Sequence, residues 1–269
     1  MENKKESETS FYFKKRAKYG RRFGNIFNLV KFNWFILKKL ITIRNDYNVI
    51  HACDFDTILP SIFMRIFFKK HIIYDIFDWY IDSRGIKNFI LKNIILFQEF
   101  INIKLSDAVI VCEQERVKQI KYTPKQLWIL PNIPNFDYIL PISKCNENLT
   151  ISYVGILGEQ RGLEKLINYA KEHKSLNLEI AGFGPLDFLL GDLKKYPNIV
   201  YYGSVKYQDA LKIMNTSDII YAIYEKTNPN HILAAPNKYY EGLFLGKPII
   251  TTKGTIVGDK TEKYNTGYT

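Results

Sequence analysis

The sequence predicts an α/β protein built from two consecutive doubly wound parallel sheets that face each other across a cleft. Short apolar runs rich in Ile and Val alternate with helix-like stretches, which is typical of parallel strands covered by helices. The alternation lapses over residues 131–148, which contain three prolines, and then restarts as a second set. We therefore predict two domains in the 269-residue chain, residues 1–140 and 141–269.

The first predicted domain opens with residues 11–44, where large apolar residues recur at three- and four-residue steps. This spacing indicates a helix with one apolar face. The apolar runs that follow are too short for helices and are predicted to be buried strands. The predicted strands are Val49–Cys53, His71–Ile76, Ala108–Cys112 and Leu127–Leu130, and the predicted helices are Lys87–Lys104 and Gln114–Lys121.

The second predicted domain repeats the same alternation after the proline-rich segment. Its strands and helices follow one another closely, as the short connections of doubly wound sheets require. The predicted strands are Ile151–Gly155, Leu178–Ala181, Ile199–Tyr202, Asp218–Tyr221 and Pro248–Thr252. The predicted helices are Leu163–Glu172, Lys206–Met214 and Asn237–Leu245.

Composition excludes several classes of protein. Hydrophobic residues make up 46% and charged residues 24%, which excludes a disordered chain. No apolar run approaches the roughly 18 residues of a spanning helix. The three cysteines include no C-x-x-C pair, which argues against a disulfide framework and a zinc site. With no secretory signal pattern at its start, the chain is predicted to be cytoplasmic.

The net charge of +11 is concentrated at the start of the chain. Residues 1–44 contain 12 Lys or Arg and 3 Glu, a net charge of +9, and the rest of the chain is nearly neutral. Interleaved bases and large apolar residues are typical of helices that lie on an anionic membrane surface, so we predict peripheral association there. The simpler alternative is that these basic residues only form the solvent-exposed face of a helix. Nucleic acid is not a predicted partner, because the basicity is local.

A glycine-bearing loop precedes a helix in the run YVGILGEQRGLEKLI, which begins at Tyr153. Helix N-termini at the carboxyl ends of such strands attract anions, and Arg161 can add a bidentate contact to a diphosphate. Gly182 and Gly184 follow the next predicted strand, where backbone can approach a ligand closely. The alternatives are a plain tight turn and an exposed Arg161. A lone G-x-G is also a weak motif.

The run AAPNKYYEGLFLGKPIITT carries the strongest pattern in the chain. Pro236 suits the first turn of a helix, and Asn237 and Lys238 place donors near the positive end of that helix. Glu241, one turn later, offers a carboxylate that suits the two hydroxyls of a ribose. For an isolated residue, a glutamate on a solvated helix face would be the preferred interpretation.

From about Val49 onward the sequence resembles retaining glycosyltransferases of the GT-B type, group 1 or family 4. The runs PNKYYE and GKPII are the most specific part of the resemblance, and LEIAGFGPL, NIVYYGSV and SDIIYAIYE support it. The resemblance implies transfer of a sugar from a nucleotide-sugar to a glycan or lipid-linked acceptor. It implies that Glu241 binds the ribose and Arg161 binds the diphosphate. It also implies that the loop Gly182–Gly184 lies near the nucleotide. It implies no further cofactor.

The sequence also departs from this family. Leu233 stands where members often carry a first glutamate that contacts the donor sugar, and Ile156 stands where a second basic residue is common. The first-domain motif D-x-H-[DE] has Phe77 in place of the histidine, so Asp78 becomes the candidate catalytic residue, as an acceptor for a substrate hydroxyl. Capping a turn is the alternative role of Asp78. Both ends look short for the family, which keeps a non-catalytic nucleotide-sugar-binding protein open as an alternative.

No metal site is predicted for the sequence. Arg161, Lys238 and the helix N-termini can stabilise a departing diphosphate without a metal ion. Asp54 and Asp56 form an Asp-x-Asp pair, for which a role in a turn is the favoured interpretation. His51 and His71 flank predicted strands, a position where histidines are more often structural than catalytic.

Overall fold

A computed structural model describes residues 9–14, 26–134, 146–191 and 193–269. The chain divides into two compact units. The first contains residues 1–77, 89–110 and 121–128, and the second contains residues 78–88, 111–120 and 129–269. Residues 135–145, which hold the predicted boundary at residue 140, lie outside the described residues, so that boundary stays a prediction.

The first unit is built on a four-stranded sheet in the order β1-β2-β3-β4. β1 and β2 are parallel, with Val49 opposite His71 and Cys53 opposite Asp75. All four strands agree with the sequence prediction. Their bounds are β1 Val49–Cys53, β2 His71–Ile76, β3 Ala108–Val111 and β4 Leu127–Ile129.

The helices associated with this sheet differ more from the prediction. α2 is absent from the predicted elements because Pro60 interrupts its pattern, yet buried Ile58 and Met64 stabilise the helix by packing. Residues 114–119 form a 3₁₀ helix in place of the predicted α-helix. The helices of the first unit are α1 Ile26–Thr42, α2 Phe55–Phe68 and α4 Phe89–Leu105, whereas α3 Tyr80–Arg84 and the 3₁₀ helix belong to the second unit.

Two corrections concern burial in the first unit. β1 is an edge strand whose residues alternate between exposed and buried, so it is not the fully buried strand that its apolar pattern predicts. On α1, the apolar residues Phe27, Val30 and Trp34 are exposed, while Phe32 and Phe35 pack against Phe13 at 5.5 Å between ring centroids. Residues 15–25 of the predicted basic segment 11–44 lie outside the described residues.

The second unit contains a six-stranded sheet in the order β10-β9-β8-β5-β6-β7, in which every neighbouring pair is parallel. Its core lies between this sheet and its helices, around Tyr153, Leu178 and Ile180. The strands are β5 Thr150–Ile156, β6 Asn177–Phe183, β7 Ile199–Tyr201, β8 Ile219–Tyr221, β9 Ile249–Ile250 and β10 Gly267–Tyr268. The helices are α5 Leu163–Glu172, α6 Tyr207–Thr216, α7 Pro229–Ile232, α8 Asn237–Leu245 and α9 Ile256–Tyr264.

The strand order fixes where this sheet can bind a ligand. From β5 the chain adds β6 and β7 on one side of the sheet and then β8, β9 and β10 on the other side, which is the strand order of a dinucleotide-binding doubly wound sheet. The order of strand addition therefore reverses between β5 and β8. Ligands of such sheets bind beyond the carboxyl ends of the strands at this reversal. The five predicted strands are confirmed, whereas α7, α9 and β10 were not predicted. Among the described residues, no helix is both long and apolar enough to cross a membrane.

Candidate functional site

Lys238 is a buried cation beside the point where the strand order reverses. It lies in the first turn of α8, and its Nζ is 4.5 Å from the centroid of the Tyr153 ring and 3.5 Å from the carbonyl oxygen of Tyr221. A β-carbon at Gly155 would approach this Nζ to 3.8 Å. Burial, assisted by the nearby charge of Arg161, lowers the pKa of Lys238 to about 7. A bound anion would therefore raise the positive charge on this side chain at neutral pH.

Arg161 supplies a second cation next to Lys238. Its guanidinium carbon lies 5.0 Å from the centroid of the Tyr224 ring, and the two side chains also form a hydrogen bond. Gly162, which follows Arg161, has a φ of 66° and precedes α5 directly. The hydroxyl of Tyr221 donates to the carbonyl oxygen of Gly162 at 3.1 Å and holds this loop against β8. Arg161 is thus fixed on the same side of the sheet as Lys238.

Neither cation forms an ion pair in the described part of the chain, although the charge of Glu241 acts on Lys238 from a longer distance. Within the described parts of the chain, no carboxylate lies within ion-pair distance of Lys238 or Arg161. Neither α5 nor α8 has a side-chain cap at its N-terminus, so no side chain competes there with a ligand. A buried lysine and a half-buried arginine near two helix N-termini favour the binding of an anion.

A pocket beside these cations contains the carboxylate of Glu241. It has a volume of ≈ 250 Å³, far more than the ~15 Å³ that one water molecule needs. Burial raises the pKa of Glu241, whereas its hydrogen bond with Tyr207 and the charge of Lys238 lower it. The pocket is lined by Asn132, Ile133, Pro134, Tyr207, Asn237 and Glu241. This mixture of carboxylate, amide and hydroxyl groups can bind a polyhydroxylated ligand.

The start of α8 differs from the prediction, which placed Pro236 in the first turn of the helix. Pro236 is the residue before the helix, and Asn237 is the first helical position. Asn237 and Glu241 line the same pocket, as their four-residue spacing on one helix face requires. Lys238 is directed toward Tyr153. The predicted residues of α8 therefore divide between the pocket and the cation pair.

Close backbone packing explains why glycine occurs at positions 182 and 184, a reason that the sequence did not reveal. Gly182 lies inside β6, not after it, and a β-carbon there would come within 1.8 Å of the carbonyl oxygen of Gly155. A β-carbon at Gly184 would come within 2.5 Å of the carbonyl oxygen of Leu157. The absence of side chains thus permits close contact between the ends of β5 and β6. A role in donor binding stays a prediction for both.

Asp78 lies in the second unit and forms an ion pair there. Its Oδ1 accepts a hydrogen bond from Nη2 of Arg116 at 3.0 Å, and the side chain of Arg116 is only 3% exposed. The side chain of Asp78 is about half exposed and is not the N-cap of α3, a position that Trp79 occupies. A catalytic role for Asp78 stays a prediction, and the carboxylate already binds one cation.

His231 is a further buried residue near the cations. It stacks edge-on against Tyr224, with 5.6 Å between centroids, and its Nδ1 is 3.1 Å from the carbonyl oxygen of Glu225. Burial and the charge of Arg161 lower the pKa of His231, while Glu225 and Asp78 raise it.

Three tyrosines of the site were not predicted from the sequence. Tyr153, Tyr221 and Tyr224 lie close to the two cations. In the sequence, Tyr153 and Tyr221 belong to predicted strands and Tyr224 lies just after one. Cations are attracted to the faces of aromatic rings, which helps to hold Lys238 and Arg161 without carboxylates. The repeated tyrosines in the run SDIIYAIYE were the available signal.

Comparison with known proteins supports the fold. No protein-family model and no curated protein matches the sequence. HepE from Anabaena, solved with UDP-glucose, matches with a TM-score of 0.60 and 14% identity over 83% of this chain and 64% of HepE. OtsA matches with a TM-score of 0.60 and 11% identity over 90% of this chain and 66% of OtsA. The chain therefore spans less than two thirds of either protein.

A UDP-N-acetylglucosamine 2-epimerase also matches, with a TM-score of 0.53 and 10% identity over 87% of this chain and 63% of the epimerase. HepE, OtsA and this epimerase share the GT-B fold, in which two doubly wound parallel α/β sheets occur in one chain. At these identities the likeness shows the fold alone. The two-sheet α/β fold class predicted from the sequence is thereby confirmed.

Proposed function

We propose that this protein is a glycosyltransferase that moves a sugar from a nucleotide-sugar to a glycan or lipid-linked acceptor. The observation that carries the proposal is the pair Lys238 and Arg161, two neighbouring cations that form no ion pair among the described residues and lie where the strand order of the second sheet reverses. Glu241, which lines the pocket, is on α8 together with Lys238. HepE, with the same fold, was solved with UDP-glucose.

In this proposal the diphosphate lies between Arg161 and Lys238, and the ribose hydroxyls donate to Glu241. The departing nucleoside diphosphate gains negative charge as the glycosidic bond breaks, and two fixed cations stabilise that charge without a metal ion. Tyr153 and Tyr224 exclude water around them and so strengthen this interaction. We further propose a retaining reaction of the family 4 type and assign to Asp78 the role of acceptor for a substrate hydroxyl.

A non-catalytic protein that binds a nucleotide-sugar is the second candidate. It is favoured by Leu233 and Phe77, which replace polar residues of the family, and by the ion pair that already engages Asp78. Both candidates require the same donor site. Hydrolysis or transfer of a nucleotide-sugar by the protein would distinguish them, because only the enzyme turns the donor over.

Removal of the Arg161 side chain is expected to weaken binding of a nucleoside diphosphate by roughly 10- to 150-fold and to leave binding of the free nucleoside nearly unchanged. A charged hydrogen bond of this kind is worth about 1.5–3 kcal/mol. Glu241→Gln is expected to weaken both ligands, since both carry the ribose. Calorimetry of Arg161→Ala and Glu241→Gln with uridine, UDP and UDP-glucose measures these differences.

Two variants of α5 serve as controls. Lys165→Ala removes an exposed base one turn after Arg161, and Glu164→Gln removes an exposed carboxylate, so neither should change binding. If Arg161→Ala and Glu241→Gln bind all three ligands like the unchanged protein, the donor site is not at the reversal of the strand order.

We also propose that the first unit associates with an anionic membrane surface through α1. Phe27, Val30 and Trp34 lie three and four positions apart on this helix and are 62–77% exposed, and Lys31 and Lys38 are exposed beside them. Exposed apolar side chains with lysines nearby are typical of helices that lie on membranes. A lipid-linked acceptor would be reached most directly from such a surface.

The charge-reversal variant Lys31→Glu/Lys38→Glu is expected to lower partitioning to anionic vesicles at least tenfold, since each base contributes about 1 kcal/mol near such a surface. Sedimentation with anionic and neutral vesicles, at low and high salt, measures the effect. Lys194→Glu/Lys195→Glu, which changes the same number of charges in the second unit, is the matched control. Equal loss in both double variants, or binding that salt does not change, would contradict a role for α1.

A further inference from the structure

A histidine, a cysteine and an aspartate meet on one face of the sheet in the first unit. His51 and Cys53 are two residues apart on β1, so their side chains leave the strand on the same face. Asp75 stands opposite Cys53 in the parallel register of β1 and β2. The register therefore brings the three side chains together near the carboxyl ends of two neighbouring strands.

The distances between these groups are short. Nε2 of His51 is 2.9 Å from Oδ2 of Asp75, and one ligand atom of each residue lies within 4.8 Å of the other two. Asp75 is buried, Cys53 is partly buried and His51 is exposed. Three donor atoms thus surround one point that solvent can reach from the side of His51.

The charge at this point favours a cation. In the described part of the chain, no lysine or arginine forms an ion pair with Asp75, whose carboxylate has only the imidazole of His51 as a partner. Asp54 follows Cys53 directly, and its N–H donates to the carbonyl oxygen of Asp75 at 2.8 Å. The Asp75 carboxylate is therefore next to a thiol and an imidazole, without an ion pair to a base among the described residues.

We propose that His51, Cys53 and Asp75 bind a divalent transition-metal ion of the zinc type. Imidazole nitrogen, thiolate sulfur and carboxylate oxygen are the ligands that zinc uses, at about 2.0–2.3 Å. Binding replaces the hydrogen bond between His51 and Asp75 by two bonds to the ion, and the Cys53 thiol releases its proton to solvent. The side chains need to close by only about 1 Å to reach tetrahedral ligand separations.

Three protein ligands leave the fourth tetrahedral position open. Structural zinc sites fill all four positions with protein ligands, whereas sites with three keep one for water or a substrate oxygen. The site belongs to the first unit, and Lys238, Arg161 and Glu241 belong to the second. Its existence is therefore independent of the donor site proposed above.

Titration of the full chain with Co²⁺ and with Zn²⁺ tests the proposal. Co²⁺ bound to a thiolate gives a charge-transfer absorption band, and competition with Zn²⁺ measures the zinc affinity. We expect one equivalent of Co²⁺ to bind with this band and one equivalent of Zn²⁺ to displace it. Cys53→Ser should abolish the band, and His51→Ala and Asp75→Asn should each weaken zinc binding at least tenfold.

The chain offers matched controls of the same residue types. His71→Ala removes an exposed histidine of β2, and Cys112→Ser removes the other cysteine of the described residues, so both should keep the band and the stoichiometry. Absence of a stoichiometric thiolate band in the unchanged protein would overturn the proposal, whatever the variants do. So would a band that survives Cys53→Ser or disappears in Cys112→Ser.

Discussion

Glu113→Gln is expected to lower the free energy of unfolding by about 3 kcal/mol, because its carboxylate accepts charge-assisted hydrogen bonds and Lys260, whose side chain is only 20% exposed, loses its counter-charge. Glu113 is 4% exposed, and its Oε1 accepts a hydrogen bond from the hydroxyl of Tyr240 at 2.6 Å. Its Oε2 accepts one from Nζ of Lys260, which also donates to Tyr240 at 3.0 Å. These bonds connect the segment before the 3₁₀ helix to α8 and α9 within the second unit.

The pKa shifts of Lys260 and Tyr240 agree with their hydrogen bonds to Glu113. Burial by itself lowers the pKa of Lys260, but its hydrogen bonds to Glu113 and Tyr240 raise it well above the ordinary value. Burial and the hydrogen bond to Glu113 raise the pKa of Tyr240 to about 12. Lys260 is therefore held in its charged form in the folded protein, and its charge needs the Glu113 carboxylate nearby.

Urea denaturation followed by circular dichroism measures the loss in Glu113→Gln. Glu262→Gln is the matched control, because Glu262 forms an exposed ion pair with Lys253 at 3.0 Å, and exposed ion pairs contribute little to stability. The double variant Glu113→Gln/Lys260→Met should recover part of the lost unfolding free energy, because it also removes the charge of Lys260 that Glu113 no longer compensates. A loss in Glu113→Gln no larger than that in Glu262→Gln would contradict this account.

Glu99→Gln is expected to stabilise the protein by about 3 kcal/mol above pH 7 and to have almost no effect near pH 4.5. Glu99 is 1% exposed in the core of the first unit, where the hydroxyl of Tyr74 donates to both of its oxygens and Asn102 donates to Oε2. Burial raises the pKa of Glu99 from 4.5 to about 7, although the bonds from Tyr74 and Asn102 lower it.

The direction of the effect follows from proton binding. Because the pKa of Glu99 is higher in the folded state, its contribution to stability is complete below pH 4.5 and is lost as the pH rises through about 7. A shift of this size corresponds to about 3 kcal/mol. Glutamine keeps the shape and accepts the same hydrogen bond from Tyr74, but it never ionises.

The measurement is the difference in unfolding free energy between the unchanged protein and Glu99→Gln, from urea titrations at several pH values between 4.5 and 8. Groups that titrate alike in both proteins cancel in this difference. Asp46→Asn, at an exposed carboxylate of the same unit, should show no such dependence. A difference that stays constant across this range would show that Glu99 does not ionise there.

The pattern of the sequence determined most of the fold. Strands and helices of a parallel α/β sheet bury residues at fixed local spacings, so β2, β6 and α5 could be located from a few residues each. Exceptions arose where packing overrides the local pattern. α2 forms despite Pro60, and β1 alternates because it lies at the edge of its sheet.

The sequence also indicated Arg161, Lys238 and Glu241 as candidate donor-binding residues, since helix N-termini and their flanking residues are local features, and that role stays a prediction. It did not reveal their surroundings. Tyr153 contacts Lys238 across 85 positions of the chain, and Glu113 meets Lys260 across 147. Such contacts depend on the order in which strands pair.

The same reason explains the cluster at the edge of the first sheet. From the sequence, three cysteines without a C-x-x-C pair argued against a zinc site. The parallel register then placed Asp75 opposite Cys53. Local spacing determines which face of an element a side chain occupies, but only the pairing of elements distant in sequence decides which side chains meet, because that pairing minimises the exposed apolar surface of the whole chain.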